Sequence, residues 1–143
     1  MSELMGARPT TFVAVDPEAL AHNTRQVRER ARRQARLMAV VKTNAYGHGL
    51  VQAARVVLEA GATWLGVSSV AEGVALREAE IDAPVLVFMP ASREECEALV
   101  AANLSATVAC TEHVAWLADA SDALDKTATA HVYVDTGLSR MPA

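Results

Sequence analysis

Five short apolar runs recur along the chain at a nearly fixed interval, and that interval restricts the fold more than any other feature. They are Arg36–Lys42 (RLMAVVK), Thr63–Ser69 (TWLGVSS), Pro84–Pro90 (PVLVFMP), Ala106–Cys110 (ATVAC) and Thr129–Asp135 (TAHVYVD). Their starts lie 27, 21, 22 and 23 residues apart, about the length of one strand–helix unit. Each run is apolar nearly throughout instead of alternating, as expected of parallel strands covered on both faces.

The intervening segments carry helical spacing. In Val51–Ala60, Val51, Ala54, Val57 and Leu58 share one side, and Gly61 follows as a helix stop. Val70–Glu80 offers Val70, Val74 and Ala75. Ser92 and Glu95 form a capping-box pattern ahead of Cys96, Leu99 and Val100. Thr111 is placed to cap a helix whose inner face is Val114, Leu117 and Ala118. Upstream, TTFVAVDPEALAHN reads as a short strand, Thr11–Val15, and then a helix start. Asp16 is the expected N-cap, Pro17 the first helical residue, and Leu20, Val27 and Ala31 the inner face.

The order is β-α-(βα)₄-β. Right-handed crossovers then give an α/β fold with a parallel sheet, open or closing into a (β/α) barrel of TIM type. A complete eight-stranded barrel needs about 250 residues. At 143 residues the chain is expected to hold about the first half of one, roughly five parallel strands plus the N-terminal strand and helix. A mostly apolar strand edge on such a half-barrel is an association hazard unless something covers it.

Composition excludes several functions. A net charge of −4 offers no face to neutralise phosphates, so no nucleic-acid partner is expected. The basic run Arg25–Arg36 reads as a solvated helix face. Cys96 and Cys110 lack metal-ligand spacing and are expected to be reduced thiols, with no metal site. The N-terminus is too polar for a signal peptide, and no run approaches membrane-spanning length. The expected location is the cytoplasm.

Ligands of such sheets bind beyond the carboxyl ends of the strands, so the residues there are the ones to read. Lys42 ends the first run and is followed by Thr43, Asn44, Ala45, Tyr46, Gly47, His48 and Gly49. A partly desolvated amine at that position becomes a usable nucleophile, the requirement for a Schiff base with an aldehyde cofactor; it could equally extend to water. Tyr46 could pack, and His48 could donate to backbone in a turn. Gly47 and Gly49 permit unusual backbone and could bring amides near a helix start where an anion sits. Ser68-Ser69 and Met89-Pro90 end the next two runs. At the far end Arg140 closes Asp135-Thr136-Gly137-Leu138-Ser139-Arg140, where its planar donor fork could hold a carboxylate or lie exposed after a turn.

Taken together, VVKTNAYGHG, GATWLGVSSVAEGVALREAEIDAPVLVF and HVYVDTGLSR occur in the order and at the distances of one family. From about Thr11 to Arg140 the chain resembles the N-terminal part of alanine racemase, the pyridoxal 5'-phosphate enzyme that interconverts L- and D-alanine, a cell-wall precursor. The resemblance implies that Lys42 holds the cofactor as an internal aldimine and serves as one of two bases. It implies that the Tyr46 hydroxyl contacts the cofactor phosphate, and that Arg140 lies near the ring oxygen and the substrate carboxylate. It also implies a barrel domain followed by a β-rich domain, with Thr11–Val15 joining the latter, and a homodimer.

Some family features have no match here. The second base, a tyrosine supplied by the partner's C-terminal domain, corresponds to no residue of this chain, and neither do the strand-six histidine and the later cofactor arginine. Tyr133 stands where a lysine often buttresses the arginine, Ser139 where glycine is usual, and Met-Pro-Ala follows Arg140. These departures suggest a truncated chain that acts within a longer protein. Alternatives are a non-catalytic pyridoxal-phosphate-binding protein, an inactive or scaffolding piece of the fold, or a racemase of broader amino-acid specificity.

Overall fold

A computed structural model describes residues 11–140; the N-terminal residues read above as too polar for a signal peptide lie mostly outside that range, as does the final Met-Pro-Ala. Five parallel strands form one sheet in the order β1-β2-β3-β4-β5: Met38–Val40, Trp64–Val67, Val85–Val87, Ser105–Val108 and Thr129–Val132. Each run thus becomes a strand, paired to its predecessor, as right-handed strand–helix repetition requires. The ladders are shorter than the runs. Met38↔Trp64, Leu65↔Val85, Leu86↔Ser105 and Ser105↔Thr129 set the register.

Alternation along the strands separates two faces. Leu65, Val67, Val85, Val87, Ala106 and Val108 are buried against the helices and form the centre of the core. Full burial of a Leu or Val side chain contributes about 1.5–3 kcal/mol. The opposite face carries Met38, Trp64, Gly66, Leu86 and Ser105. A Cβ on Gly66 would lie 2.5 Å from the Phe88 ring and 3.3 Å from the Met38 sulfur, so those two side chains fill the space that glycine leaves. Thr107 is buried on this face and satisfies its hydroxyl on the Val87 carbonyl at 2.7 Å.

The helices are α1 (Pro17–Arg30), the short α2 (Lys42–Tyr46), α3 (Leu50–Glu59), α4 (Val70–Glu78), α5 (Cys96–Ala101, entered through a 3₁₀ turn at Arg93–Glu95) and α6 (Thr111–Leu124). Asp16 caps α1 as expected, accepting from the amides of Glu18 at 2.9 Å and Ala19 at 3.1 Å, with Pro17 at the first position. Ser92 and Glu95 form their capping box, the Glu95 carboxylate accepting from the Ser92 amide at 3.0 Å. Gly61 ends α3 with φ +108°, its amide on Leu58.

Three expectations need correction. Thr111 is not the cap of α6: the backbone stays extended through Cys110, which occupies that position without a side-chain bond. Val114 and Ala118 are not inner residues, because β5 is the exposed sheet edge and leaves Val114 beside an open cleft between α6 and β5; Leu117 and Ala120 are buried instead. Val27 is 54% exposed, since α1 buries no residue fully and packs against the core through Leu20. Thr11–Val15, expected to join a β-rich domain that this chain does not contain, pairs with no strand among the described residues, and Phe12 and Val13 are exposed.

One polar side chain ties helix ends together. Arg77 donates to the carbonyls of Ala102 and Ala83 at 3.0 Å, of Asn103 at 3.2 Å, and of Ile81. It satisfies the orphan carbonyls after α4 and α5 in a way one planar fork can and an ammonium cannot. Both cysteines are free thiols. Among the described residues no helix is long and apolar enough to cross a membrane, and no cluster of metal-ligating side chains occurs.

Candidate active site

The last bond of the β1 ladder runs from the Val41 amide to the Gly66 carbonyl at 2.8 Å. Lys42 comes next, half-buried, after the backbone leaves the extended conformation at Val41, φ −116° and ψ 18°. There the chain changes hand. Thr43, Asn44, Ala45 and Tyr46 have φ of 54°, 54°, 52° and 54°, and Gly47 follows at 88°. Helix α2 is therefore one turn of left-handed helix built on four residues with side chains.

Such a turn is expensive. Each non-glycine residue in that region costs roughly 1–2 kcal/mol, and β-branched Thr43 is the least suited of the four. A conformation of this kind persists only where its surroundings over-determine it. Within the turn, the Ala45 amide donates to the Val41 carbonyl at 2.8 Å and the Gly47 amide to Asn44 at 3.0 Å. The His48 amide donates to Ala45 at 3.1 Å and the Gly49 amide to Asn44 at 3.0 Å. Ala45 is buried in the core and fixes the turn from below. The His48 ring nitrogen Nδ1 sits 2.8 Å from the Ala45 carbonyl, a structural role. The Asn44 side-chain oxygen accepts from the Leu50 amide at 2.8 Å and so closes the start of α3.

The anion cradle suggested by Gly47 and Gly49 is not formed by those amides. The N–H groups of Gly47, His48, Gly49 and Leu50 are all used inside the turn. Gly47 instead leaves space: no atom lies within 4 Å of where its Cβ would be. Tyr46 stands at the rim, 62% exposed.

A residue that sequence reading did not single out joins this turn to the next strand. Glu72, in the first turn of α4, accepts from the Asn44 amide at 3.2 Å through one oxygen. Through the other it accepts from the Ser68 amide at 2.9 Å and the Ser68 hydroxyl at 2.8 Å. Burial pushes its carboxyl up, but the donors of Ser68, Asn44 and Thr43 together outweigh this and hold it below the usual carboxylate range. Ser69, the N-cap of α4, accepts from the Glu72 amide at 3.3 Å. The pattern Ser69-x-x-Glu72 was a legible helix-start signal; the bond to Asn44 was not.

At the opposite edge of the sheet a carboxylate organises the loop after β5. Asp135 accepts from the amides of Gly137 at 2.8 Å, Ser139 at 3.0 Å and Arg140 at 3.1 Å, and from the Tyr133 hydroxyl at 3.4 Å. The Ser139 and Gly137 bonds, with those of its other backbone donors, hold its carboxyl below the ordinary value. Ser139 takes φ +52°, a region that favours glycine. Lys42 and Tyr46 thus follow β1 and Arg140 follows β5, all beyond the carboxyl edge of one sheet. No ion pair or hydrogen bond joins the three among the described residues.

Comparison with known proteins gives one family. The alanine racemase N-terminal domain family matches residues 15–141. The alanine racemase of Synechocystis sp. is 41% identical over 135 residues, covering 94% of this chain and 36% of that protein. Alanine racemase 1 of Oceanobacillus iheyensis is 42% identical over 130 residues, covering 91% and 35%. Among solved structures, the alanine racemase from E. faecalis superposes with a TM-score of 0.81 at 34% identity, covering 89% of this chain and 34% of that one. That of Streptomyces coelicolor A3(2) gives 0.80 at 38% identity, covering 88% and 34%. The chain spans about a third of the length of these relatives.

Proposed function

We propose that this chain, which belongs to the alanine racemase N-terminal domain family, supplies the lysine-bearing part of a barrel that racemises alanine with pyridoxal 5'-phosphate. The observation that carries this reading is the position of Lys42, just past the last β1 ladder bond, at the start of a strained left-handed turn. Strain of that kind is retained where a side chain must be aimed.

The donor set suits an aldehyde cofactor that bears a phosphate. Lys42 is a primary amine outside any ion pair among the described residues, Tyr46 is an exposed phenol at the rim, and Gly47 leaves open space next to it in the chain. Lys42 would hold the cofactor covalently, Tyr46 would donate to its phosphate, and Arg140 would face the ring oxygen and the substrate carboxylate. When bound, the cofactor spreads the charge left by removal of the α-proton. Lys42 would take or return that proton on its own face of the α-carbon, which requires reach as well as a suitable pKa.

Proton transfer on the other face needs a second base. The family resemblance assigns that role to a tyrosine of a partner subunit, so the proposal includes a homodimer acting in the cytoplasm.

Exchange at the α-carbon tests the role of Lys42. In deuterated water, protein with pyridoxal phosphate should incorporate deuterium into alanine, and Lys42→Ala should reduce incorporation by at least 100-fold. Incorporation unaffected by Lys42→Ala would sink the assignment.

A further inference from the structure

We propose that Glu72 is the positioning residue for Lys42, because its carboxylate fastens the left-handed turn that begins at Lys42 to the carboxyl end of the neighbouring strand. This rests on Lys42 being the cofactor lysine, as proposed above.

The geometry is a bridge across two adjacent strands. One carboxylate oxygen takes the Asn44 amide, two residues beyond Lys42, and the other takes the amide and hydroxyl of Ser68, one residue beyond β2. Glu72 is itself held at the base of α4 by its amide bond to the Ser69 hydroxyl. Asn44 is the pivot of the turn: its carbonyl accepts from Gly47 and Gly49, and its side chain accepts from Leu50. A left-handed turn of four side-chain-bearing residues has no intrinsic preference for its shape, so its hand depends on such external bonds. With the Asn44 amide released, the turn relaxes toward right-handed backbone and carries the Lys42 amine with it.

The site calls for a carboxylate in particular. Every partner named here is a donor, two N–H groups and one O–H. A glutamine would have to turn its own NH₂ toward one of these donors. The depressed carboxyl of Glu72 is consistent with an ionised acceptor.

The role is separable from general support of the fold. Lys42 attachment is followed as the rate of pyridoxyl labelling with pyridoxal phosphate and cyanoborohydride. Non-covalent capture is followed as the Kd of pyridoxine 5'-phosphate, which lacks the aldehyde. Glu72→Gln should slow labelling of Lys42 at least tenfold while changing that Kd less than threefold. Arg77→Ala, on the same helix but bonded only to carbonyls remote from the turn, should leave the labelling rate within twofold of wild type. Labelling of Glu72→Gln at the wild-type rate, or equal slowing by Arg77→Ala, would overturn the proposal. Should Glu72→Gln not fold, Ser68→Ala removes one donor from the same carboxylate and should still slow labelling at least twofold; no slowing counts against it. If the wild-type protein takes no label on Lys42, the cofactor reading fails. Amide hydrogen exchange then decides the role of Glu72 alone: Asn44 and Ser68 should exchange at least tenfold faster in Glu72→Gln, and unchanged exchange overturns it.

Discussion

The rings of Trp64 on β2 and His131 on β5 meet edge to face with centroids 5.7 Å apart, although β3 and β4 lie between their strands. Three strand spacings in a flat sheet would separate those strands by about 14 Å. The sheet is therefore curled, and the two side chains converge on its concave face. Arg36 closes the group, its guanidinium carbon 5.5 Å from the centre of the Trp64 ring.

Trp64→Ala should remove the ring current on His131 and return its ring-proton shifts toward those of an exposed histidine. The loss of the aromatic pair should cost about 0.5–1.5 kcal/mol beyond the lost burial. Unmoved His131 shifts would mean that the sheet is flatter than described.

Two glycines should respond to alanine through contact, and one through backbone alone. A Cβ at Gly66 meets the Phe88 ring at 2.5 Å, and one at Gly73 meets Leu104 at 2.5 Å. Each substitution should destabilise by about 1–3 kcal/mol through overpacking. Gly47→Ala has open space but φ +88°, so its cost should be conformational, about 1–2 kcal/mol. Urea titration of the three variants checks these costs. The contact origin is confirmed if Phe88→Leu relieves the Gly66→Ala penalty.

Arg77→Ala should lower stability by about 1–3 kcal/mol, since it leaves carbonyls after α4 and α5 without their donor. Arg77→Lys should recover little, because an ammonium cannot serve several carbonyls in one plane. Full recovery by lysine in a thermal melt would refute the fork description.

Glu72 gives stability a pH dependence of definite sign. Its folded pKa lies below the ordinary 4.5, so between the two values the unfolded chain binds more protons and stability rises with pH. The contribution is fully present above the unfolded value and is lost as pH falls through the folded one. Glu72→Gln should therefore flatten the acid limb of the stability curve below about pH 4.5. An equally steep acid limb in the variant would contradict the assignment.

The strand period was readable because one face of the sheet packs on the helices through Leu65, Val67, Val85 and Val87, while residues such as Met38 and Leu86 keep the opposite face apolar as well. The runs overstated strand length because apolar residues continue past the last paired residue, as Val41 does beyond Val40. The position of Lys42 followed from the same pattern. The hand of the turn did not: Gly47 signals a turn, but Thr43, Ala45 and Tyr46 are residues that ordinarily avoid positive φ. Glu72 was hidden for a related reason. Its partner Asn44 is 28 residues away, and such a bond exists only once β1 and β2 are side by side. The exposure of Val27 and Val114 was equally hidden, since periodicity gives a helix an apolar face without saying how far its neighbours extend to cover it.

The most direct test is chemical. The chain has two lysines, Lys42 and Lys126, and Lys126 donates to the Ala101 carbonyl at the C-terminal end of α5. Borohydride reduction of the protein with pyridoxal phosphate, followed by peptide mass mapping, should place one pyridoxyl group on Lys42 and none on Lys126. Label on Lys126, label spread between the two, or no label at all would contradict the assignment of Lys42 as the cofactor lysine.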